Sequence, residues 1–343
     1  MLFIRRLSVI SLVALTIVFS IIGCGEDSED NKDVTSAKAA YIVNGSAQTL
    51  SMFDIEKSEM KNDVFNTGKW TADIKIAGDK AYVVNTGDNN IQIVDLITLT
   101  QTGLINIGDN TSPERIVFAD NNKAYVTCLY TNSTKVIDLG SNAVTKDIPV
   151  GMGPMGATVA GKKIYVCNPA YDFATNSYGK GTVSVIDSAT DSVVKTIDVE
   201  TNPLEAVTFG DKVFVMCVGN YVDVMGKLCI IDSTSNTVTK TVDLGTTPSG
   251  IAVSPKGIVY ITTFGGLISA DANSGAMIHT SASPLPDFAS GSGIAFSKNG
   301  TGYICVADWA GTGNDKLLVM DSSEKLAGSY KAGGGASIVA IKD

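Results

Sequence analysis

Residues 78–100, GDKAYVVNTGDNNIQIVDLITLT, decide the fold of this chain. Two short segments, residues 80–86 and 91–96, are rich in Val, Ile and Tyr and are typical of β-strands. The Gly-Asp-Asn-Asn turn between them contains residue types that tolerate the positive φ angle of a tight hairpin. One hairpin cannot bury an apolar face by itself. The stretch therefore predicts one unit of a larger β-fold.

The same pattern recurs seven times, with an aromatic residue that opens each hairpin and an aspartate that closes its second strand. The aromatic residues are Tyr41, Tyr82, Tyr125, Tyr165, Phe214, Tyr260 and Tyr303. The aspartates are Asp54, Asp95, Asp138, Asp187, Asp232, Asp271 and Asp321. Spacings of about 40 to 50 residues match one four-stranded propeller blade and exceed a solenoid turn. We predict an all-β, seven-bladed β-propeller over residues 38–343.

The two ends of this region predict how the ring closes. Residues 39–44 form a hairpin strand with no inner strand in front of it, and residues 336–341 form an inner strand with no hairpin after it. Pairing these two segments would complete seven blades and remove two open edges. We therefore expect the C-terminal strand to close the first blade.

The N-terminal sequence is typical of an export signal. Arg5 and Arg6 precede an apolar run over residues 7–22, and Gly23 and Cys24 follow it. The run is short for a membrane span of about 20 residues. Because a Cys follows a small residue, the segment resembles the bacterial lipoprotein signal, in which the Cys becomes the lipidated first residue. We expect residues 1–23 to be a signal peptide and Cys24 to be lipidated.

Residues 24–37 are expected to be a lipidated cysteine followed by a flexible tether, because residues 25–37 contain five acids and one lysine. Gly25 in place of Asp favours, by resemblance to enterobacterial sorting rules, the outer membrane over the inner one. Removal of residues 1–23 leaves 24 basic and 35 acidic residues, a net charge of −11. Such a surface disfavours nucleic acid as a partner. We expect a lipid-anchored protein on the periplasmic or cell-surface side of the envelope.

The repeat also has a family resemblance. Residues 41–44 (YIVN), 82–85 (YVVN) and 125–128 (YVTC), each followed by an apolar pair and Asp, resemble the YVTN repeat of seven-bladed propellers in bacterial periplasmic and surface proteins. The resemblance covers residues 38–343 and implies the propeller fold. It leaves function open, because propellers support binding, scaffolding and catalysis. Blade 6 departs from the pattern, with Thr263 in the Asn position and a short Gly265-Gly266 connection.

Chemistry that depends on histidine is disfavoured. His279 is the only histidine, and we interpret it as an exposed residue of an outer strand. His-rich copper sites need several histidines, and Ser-His-Asp triads and Cys-x-x-Cys-His haem attachment need a histidine placed with specific partner residues. The acidic turns at residues 87–90 and 120–122 lack the ordered spacing of a Ca²⁺ loop and are interpreted as hairpin turns. We expect no catalytic residue, metal site or cofactor.

Five cysteines follow Cys24: Cys128, Cys167, Cys217, Cys229 and Cys305. In the hairpin from Tyr82 to Asp95, the turn at residues 87–90 is expected to place position 85 opposite position 92. The hairpin from Phe214 to Asp232 is expected to have the same symmetry, which would place Cys217 opposite Cys229. Opposed strand residues are close enough for a disulfide in an exported protein. The alternative is a pair of packed thiols, and the other three cysteines are expected in the core.

The loops predict where a ligand would bind. In a propeller, the loops between the second and third strands of each blade share one face with the loops that lead into the inner strands, and here these loops are long and aromatic. Exposed aromatic residues on a rigid scaffold are typical of ligand and protein sites. The predicted binding residues are Trp70, Arg115, Tyr130, Met155, Tyr171, Phe173, Tyr178, Tyr221, Phe288, Asp308 and Trp309. The alternative is that these aromatic residues fold back onto the blades.

We therefore expect a monomeric, non-enzymatic module that binds a small molecule or an envelope protein. Resemblance to surface propeller lipoproteins implies capture of cobalamin for an outer-membrane transporter as one alternative. A lactonase-like hydrolase is another, and it would need a cluster at the channel mouth, where the candidates are Asp73, Glu114, Arg115 and Glu205. A structural envelope scaffold without a pocket is the third.

Overall fold

The computed structural model describes residues 38–343, which form seven four-stranded antiparallel sheets and one short extra hairpin. The expected signal peptide, Cys24 and the tether lie outside the described residues. Between Lys38 and Asp343, no helix is long and apolar enough to cross a membrane. The all-β prediction is confirmed.

Each sheet is one blade, and its four strands are ordered from an inner strand beside the ring axis to an outer strand at the periphery. Blade 1 consists of β1 (Ala39–Asn44), β2 (Thr49–Asp54) and β3 (Glu59–Asn66), with β30 (Ala336–Lys342) as its inner strand. Blade 2 contains β4 (Thr71–Ala77), β5 (Lys80–Asn85), β6 (Asn90–Asp95) and β7 (Thr100–Asn106). Blade 3 contains β8 (Pro113–Phe118), β9 (Lys123–Cys128), β10 (Ser133–Asp138) and β11 (Ala143–Pro149).

Blade 4 includes the extra hairpin. It contains β12 (Ala157–Ala160), β13 (Lys163–Asn168), β14 (Tyr171–Asp172), β15 (Ser177–Tyr178), β16 (Thr182–Asp187) and β17 (Ser192–Asp198), where β14 and β15 pair only with each other. Blade 5 contains β18 (Pro203–Phe209), β19 (Lys212–Cys217), β20 (Lys227–Asp232) and β21 (Thr237–Asp243). Blade 6 contains β22 (Pro248–Val253), β23 (Ile258–Thr263), β24 (Gly266–Asp271) and β25 (Met277–His279). Blade 7 contains β26 (Gly293–Phe296), β27 (Gly302–Val306), β28 (Lys316–Met320) and β29 (Leu326–Lys331).

The last strand closes the ring as predicted. β30 pairs antiparallel with β1, with Ala39 opposite Lys342 and Val43 opposite Ile338. The inner strands of neighbouring blades pack against each other around the whole ring, including β26 against β30 and β30 against β4. The main core therefore lies between adjacent blades, as in the apolar cluster that joins blades 5 and 6.

The repeated aromatic residue joins each blade to the next. Tyr165 Oη donates a hydrogen bond to Asn236 Oδ1 at 2.7 Å, and Tyr260 Oη donates one to Glu324 Oε1 at 2.6 Å. In both cases the acceptor lies in the turn that precedes the outer strand of the next blade. Burial and the Glu324 carboxylate raise the pKa of Tyr260. The aromatic signal in the sequence thus reports contacts between blades.

The repeated aspartate has a local role. Asp232 Oδ1 accepts hydrogen bonds from the backbone N–H and the hydroxyl of Ser235, both at 2.7 Å. Asp95 accepts from the backbone of Ile97 and Thr98 in the equivalent turn. These hydrogen bonds lower the pKa of both aspartates. Because the side chain satisfies turn amides, the sevenfold Asp signal reports turn geometry.

The two faces of the ring differ. We call the face that holds the loops between second and third strands, and the loops into the inner strands, the loop-rich face; the opposite one is the short-turn face. Lys38 O accepts a hydrogen bond from Ile55 N at 3.0 Å, and Asp343 Oδ2 accepts one from Lys298 N at 2.8 Å. Ile55 and Lys298 both lie in turns of the short-turn face. Both ends of the described chain therefore lie opposite the loop-rich face.

Candidate functional site

The exposed aromatic side chains are gathered on one face. Within residues 38–343, every aromatic side chain with more than half of its surface exposed lies in a loop of the loop-rich face. They are Trp70, Tyr130, Phe173, Tyr221, Phe264 and Trp309, with exposed fractions from 58% to 75%. Single apolar residues on a protein surface are ordinary, but a one-sided set of exposed rings makes this face the candidate binding surface.

Five aromatic rings from three blades form a continuous row. In spatial order they are Tyr130 of blade 3, Phe173, Tyr171 and Tyr178 of blade 4, and Tyr221 of blade 5. Successive ring centroids are 5.9, 5.0, 4.9 and 6.4 Å apart, within the range of favourable aromatic pairs. We call these five residues the aromatic row. Their mutual contacts hold an apolar surface across three blades.

Local structure fixes the row from below. Tyr171 and Tyr178 pair across the hairpin of β14 and β15 and are half-buried, so they support the exposed Phe173 ring. In blade 5, Asn220 Oδ1 accepts hydrogen bonds from the backbone N–H groups of residues 222, 223 and 224 at 2.8 to 3.0 Å. Tyr221 takes a left-handed φ of 62° within this turn. The turn therefore projects Tyr221 from its loop into solvent.

Trp70 is positioned separately. Its loop enters β4, where Gly68 N donates to the buried Asn85 Oδ1 at 3.1 Å and Thr86 N donates to Trp70 O at 3.2 Å. A Cβ atom at Gly68 would lie 2.6 Å from Asn85 Cγ, so this approach requires glycine. The Asn position of the repeat thus anchors the neighbouring loop. Among the described residues, Trp70 neither makes a ring contact with the aromatic row nor lines the channel mouth defined below.

The ring axis opens on the loop-rich face as a cavity of about 400 Å³, which we call the channel mouth. Met155, Phe264 and Trp309 form its apolar wall, and Ser249 and Ser292 are among its polar lining. A second cavity of about 480 Å³ continues along the inner strands toward the short-turn face. Volumes of this size are typical of small-molecule sites.

An ion pair crosses the channel where the two cavities meet. Arg115 Nε of β8 donates to Glu205 Oε2 of β18 at 2.6 Å, and Arg115 Nη1 donates to the carbonyl of Ala72 on β4. Asp73 Oδ2 accepts a hydrogen bond from Ile116 N at 3.1 Å. Burial lowers the pKa of Arg115, but Glu205 and Asp73 raise it by more, so the guanidinium stays charged. The predicted cluster is thus brought together, and it ties blades 2, 3 and 5.

Glu114 is the remaining acid of that cluster and lines the channel mouth. It is 8% exposed, and Ser112 Oγ donates to its Oε1 at 3.3 Å. Within residues 38–343, no Lys, Arg or His nitrogen lies within 4.0 Å of its carboxylate. Burial raises the pKa of Glu114 to about 7, although Arg115 opposes this rise. The channel mouth therefore holds one acid without an ion-pair partner.

Phe288 corrects the sequence prediction. We expected it among the exposed ligand-binding residues, but it is 1% exposed and packs in the apolar cluster between blades 6 and 7. The preceding loop folds back because Leu285 N donates to Leu267 O at 2.9 Å. Phe288 thereby fills a gap in the core and cannot contact a ligand.

Asp308 is half-buried in a loop of the loop-rich face, and its carboxylate closes that loop. It accepts hydrogen bonds from Thr312 Oγ1 at 2.7 Å and from the backbone of Ala310 and Asn314 at 3.1 and 3.0 Å. These bonds lower its pKa to about 2. Its role here is to shape the loop that presents Trp309.

Phe264 and Val222 are two exposed residues of the loop-rich face that were not predicted from the sequence. Phe264 is 69% exposed at the channel mouth, and Val222 is 83% exposed beside Tyr221. The short connection of blade 6 was interpreted only as a departure from the repeat. An aromatic residue in a two-residue turn between strands has no core to enter, and that signal was available in the sequence.

The cysteine register differs from the expectation. Cys217 lies opposite Lys227, and Cys229 lies opposite Val215, so the two cysteines are diagonal neighbours and not directly opposed. Their buried thiols are 3.9 Å apart. Diagonal positions are farther apart than opposed ones, so the geometric reason for a disulfide is wrong. A disulfide between these two thiols stays a prediction.

His279 is also more engaged than expected. Its Nδ1 lies 2.8 Å from Ser269 Oγ and its Nε2 lies 4.0 Å from Glu324 Oε2, and the residue is half-buried. Within the described part of the chain, no three His, Cys, Asp or Glu side chains are arranged to hold a metal ion.

Comparisons with known proteins bear on the fold. No family model and no curated protein matches the chain. Among solved structures, a quinonprotein alcohol dehydrogenase-like protein from Bacteroides thetaiotaomicron is 15% identical with a TM-score of 0.66, over 90% of this chain and 79% of that one. Hydrazine synthase from Kuenenia stuttgartiensis is 19% identical with a TM-score of 0.64, over 78% and 88%.

The WD40 propeller domain of Doa1 is also similar, at 13% identity and a TM-score of 0.59, over 78% of this chain and 86% of that domain. At these identities the likeness shows the fold alone. The chain is a seven-bladed β-propeller with structural neighbours among quinoprotein-like and WD40 propellers. Membership of the YVTN-repeat family is not confirmed.

Proposed function

We propose that this chain is a non-enzymatic binding module of the bacterial cell envelope, and that its ligand or partner binds on the loop-rich face. The carrying observation is that the strongly exposed aromatic side chains of residues 38–343 all lie on that face. Aromatic rings give a large contact area for little loss of side-chain entropy. A rigid ring that holds them in place reduces the cost of binding further.

Lys38 and Asp343 both lie at the short-turn face, so an attachment through Cys24 would not cover the loop-rich face. The sequence predicts a lipid on Cys24, and a tether joined to Lys38 would leave from the short-turn face. The 14 residues from 24 to 37 span at most about 50 Å when fully extended. Attachment at this end would leave the loop-rich face open to soluble ligands or a partner. Cobalamin, which the resemblance implies, is the first small molecule to test.

A hydrolase is the second candidate, because Asp73, Glu114, Arg115 and Glu205 do meet at the channel. Asp73 accepts backbone N–H bonds from Ile74 and Ile116, and Glu205 pairs with Arg115. Two of the three carboxylates are therefore engaged in holding inner strands together. This favours binding over hydrolysis, and the distinguishing assay is lactone hydrolysis by the wild type and by Glu114→Gln.

The binding proposal is tested on the mature chain with Cys24→Ser, immobilised through its N-terminus so that the loop-rich face is free. Cobalamin and a panel of envelope metabolites are titrated against the wild type and a Phe173→Ala/Tyr221→Ala variant. Removal of two central aromatic contacts should weaken binding by at least about thirtyfold. An Ile97→Ala/Leu326→Ala variant, which removes exposed apolar residues outside the loop-rich face, is the matched control.

Two results would contradict the proposal. A confirmed ligand that binds the aromatic variant, and also variants of Phe264 and Trp309 at the channel mouth, as tightly as the wild type would place the site off the loop-rich face. Equal weakening by the control variant would show a general loss of structure, which thermal unfolding of both variants detects independently.

A further inference from the structure

We propose that the channel mouth binds an organic ammonium ion, with the cation held between the rings of Phe264 and Trp309 and the carboxylate of Glu114. The inference rests on the proposed function, because the channel mouth opens on the loop-rich face. It goes further because it names the chemical class of a ligand and a site distinct from the aromatic row.

The apolar wall provides the first argument. Trp309 and Phe264 are 75% and 69% exposed, yet both line the same cavity together with Met155. Ring faces attract a cation that lies within about 6 Å of the ring centroid, and Trp gives the strongest attraction. The thioether of Met155 adds a polarisable apolar surface. This wall suits an ammonium group that carries methyl or methylene groups.

The balance of charge provides the second argument. Arg115 pairs with Glu205 at 2.6 Å, and Lys75 lies 3.7 Å from Asp73. Arg115 also lines the channel mouth and acts on Glu114 at longer range, but it is already paired with Glu205. Within residues 38–343, the carboxylate of Glu114 has no cationic nitrogen within 4.0 Å. A buried carboxylate without a partner is costly. A ligand cation would supply that partner.

The surrounding field has the same sign. The loops of the loop-rich face contain eight acidic residues, two lysines and no arginine. One of the two lysines, Lys180, pairs with Asp198 at 2.6 Å. A surface of one sign concentrates ligands of opposite charge and repels those of like charge. Anionic ligands are therefore disfavoured at this opening, and cations are favoured.

The polar part of the cavity accepts hydrogen bonds. Ser249 Oγ donates to Gly291 O at 2.6 Å, and Ser292 Oγ donates to Ala336 O at 2.9 Å. Each hydroxyl has one proton, so its remaining lone pairs can only accept. Such acceptors fit the N–H or O–H groups of an amine or amino alcohol. The cavity volume of about 400 Å³ accommodates a small ligand of this kind.

The affinity should depend on pH. Burial raises the pKa of Glu114 to about 7, so its charge forms between pH 6 and pH 8. The charged or titratable groups around it are Asp73 and Lys75 of β4, Arg115 of β8, Cys128 of β9 and Glu205 of β18. Burial raises the pKa of Cys128 to about 12, so this thiol stays neutral in that range. A cation binds the ionised form of Glu114, and its affinity should rise about tenfold from pH 6 to pH 8.

The test uses two probes of equal shape. Choline carries a permanent charge, and 3,3-dimethyl-1-butanol is its neutral counterpart. The full mature chain with Trp70→Phe leaves Trp309 as its single tryptophan, so fluorescence reports binding at the channel mouth. Choline should bind at least about tenfold more tightly than the alcohol, as one charge-assisted contact provides. Only choline should respond to pH.

Three variants complete the design. Glu114→Gln should remove the preference for choline and its pH dependence, and Phe264→Ala should weaken choline binding about tenfold. Asp109→Asn, an exposed acid of the loop-rich face outside the cavity, is the matched control and should change affinity less than threefold. Nα-acetyl-lysine methylamide, which mimics a lysine side chain of a partner protein, is titrated in the same way as a third probe.

The proposal is overturned if neither probe binds, if both bind equally, or if Glu114→Gln keeps the preference for choline. Thermal unfolding confirms that each variant is folded. Failure here leaves the aromatic row untouched, because the Phe173→Ala/Tyr221→Ala variant alters none of the residues that line the channel mouth. The two proposals can therefore fail separately.

Discussion

Replacement of Glu114 by glutamine should stabilise this protein above pH 7 and leave its stability nearly unchanged below pH 4.5. Burial raises the pKa of the folded carboxyl from its ordinary value of 4.5 to about 7. Below pH 4.5 the group is protonated in both the folded and the unfolded chain. Between the two pKa values the unfolded chain loses its proton while the folded chain keeps it, so stability falls as pH rises.

The size of the effect follows from the same two values. Each pKa unit corresponds to about 1.4 kcal/mol, so the wild type should lose about 3 kcal/mol of unfolding free energy by pH 8. Glutamine keeps the shape and can accept the Ser112 hydrogen bond, but it has no proton to lose. Glu114→Gln should therefore exceed the wild type by about 3 kcal/mol at pH 8 and by little at pH 4.5.

Urea unfolding followed by circular dichroism at pH 4.5, 6, 7 and 8.5 measures this difference, provided that the slopes of the two proteins agree. Glu59→Gln is the matched control, since it removes one carboxylate from an exposed position of β3. A difference between Glu114→Gln and the wild type that does not change with pH would refute the reasoning. So would destabilisation at pH 8, which would mean that a cationic group already pairs with the ionised side chain.

Three further predictions concern the ring and its anchor. Tyr260→Phe removes the hydrogen bond to the next blade and should lower the unfolding free energy by about 1.5 kcal/mol or more; Tyr82→Phe, whose hydroxyl makes no hydrogen bond within residues 38–343, should change it far less in the same urea titration. Phe288→Ala should cost about 3 to 5 kcal/mol, whereas Trp309→Ala should stay within about 0.5 kcal/mol, and equal effects would contradict the burial described above. Cys24→Ser should move the protein from the membrane fraction to the aqueous fraction of lysed cells, and an unchanged distribution would argue against lipidation.

The fold was predictable because the residues that recur in each repeat have a fixed structural role in the blade. Tyr165 and Tyr260 recur because each fastens a blade to its neighbour, and Asp232 recurs because it satisfies turn amides. Such local requirements leave a period in the sequence. The closing strand was likewise predictable, because one unpaired strand at each end of the repeat region can be satisfied by pairing the two strands with each other.

Hairpin register was less accessible. Strand β6 begins at Asn90 and not at Ile91, because Asn89 takes the left-handed turn position with a φ of 52° and Asn85 pairs with Asn90. From the sequence alone, Asn89 and Asn90 fit the left-handed turn position almost equally well. The resulting displacement moved the partner of Asn85 by two residues and transferred the same error to the cysteines.

The site was predictable only in part. Long loops indicated that Phe173, Tyr221 and Trp309 would be exposed, and they are. The burial of Glu114 and the pairing of Arg115 with a residue 90 positions away depend on how inner strands meet at the ring axis. A contact between two inner strands so far apart in the chain leaves no local pattern in the sequence.

The pairing of β30 with β1 sets the order in which this molecule can mature. Ser337 Oγ donates to Val43 O across 294 positions, so the first blade lacks its inner strand until residues 336–342 have been synthesised. Until β30 has formed, the other blades stand beside an open edge on β1. Contacts between such distant residues form slowly. The seven-residue strand β30 therefore closes the ring, and the seven-bladed structure is complete only after this strand has paired with β1.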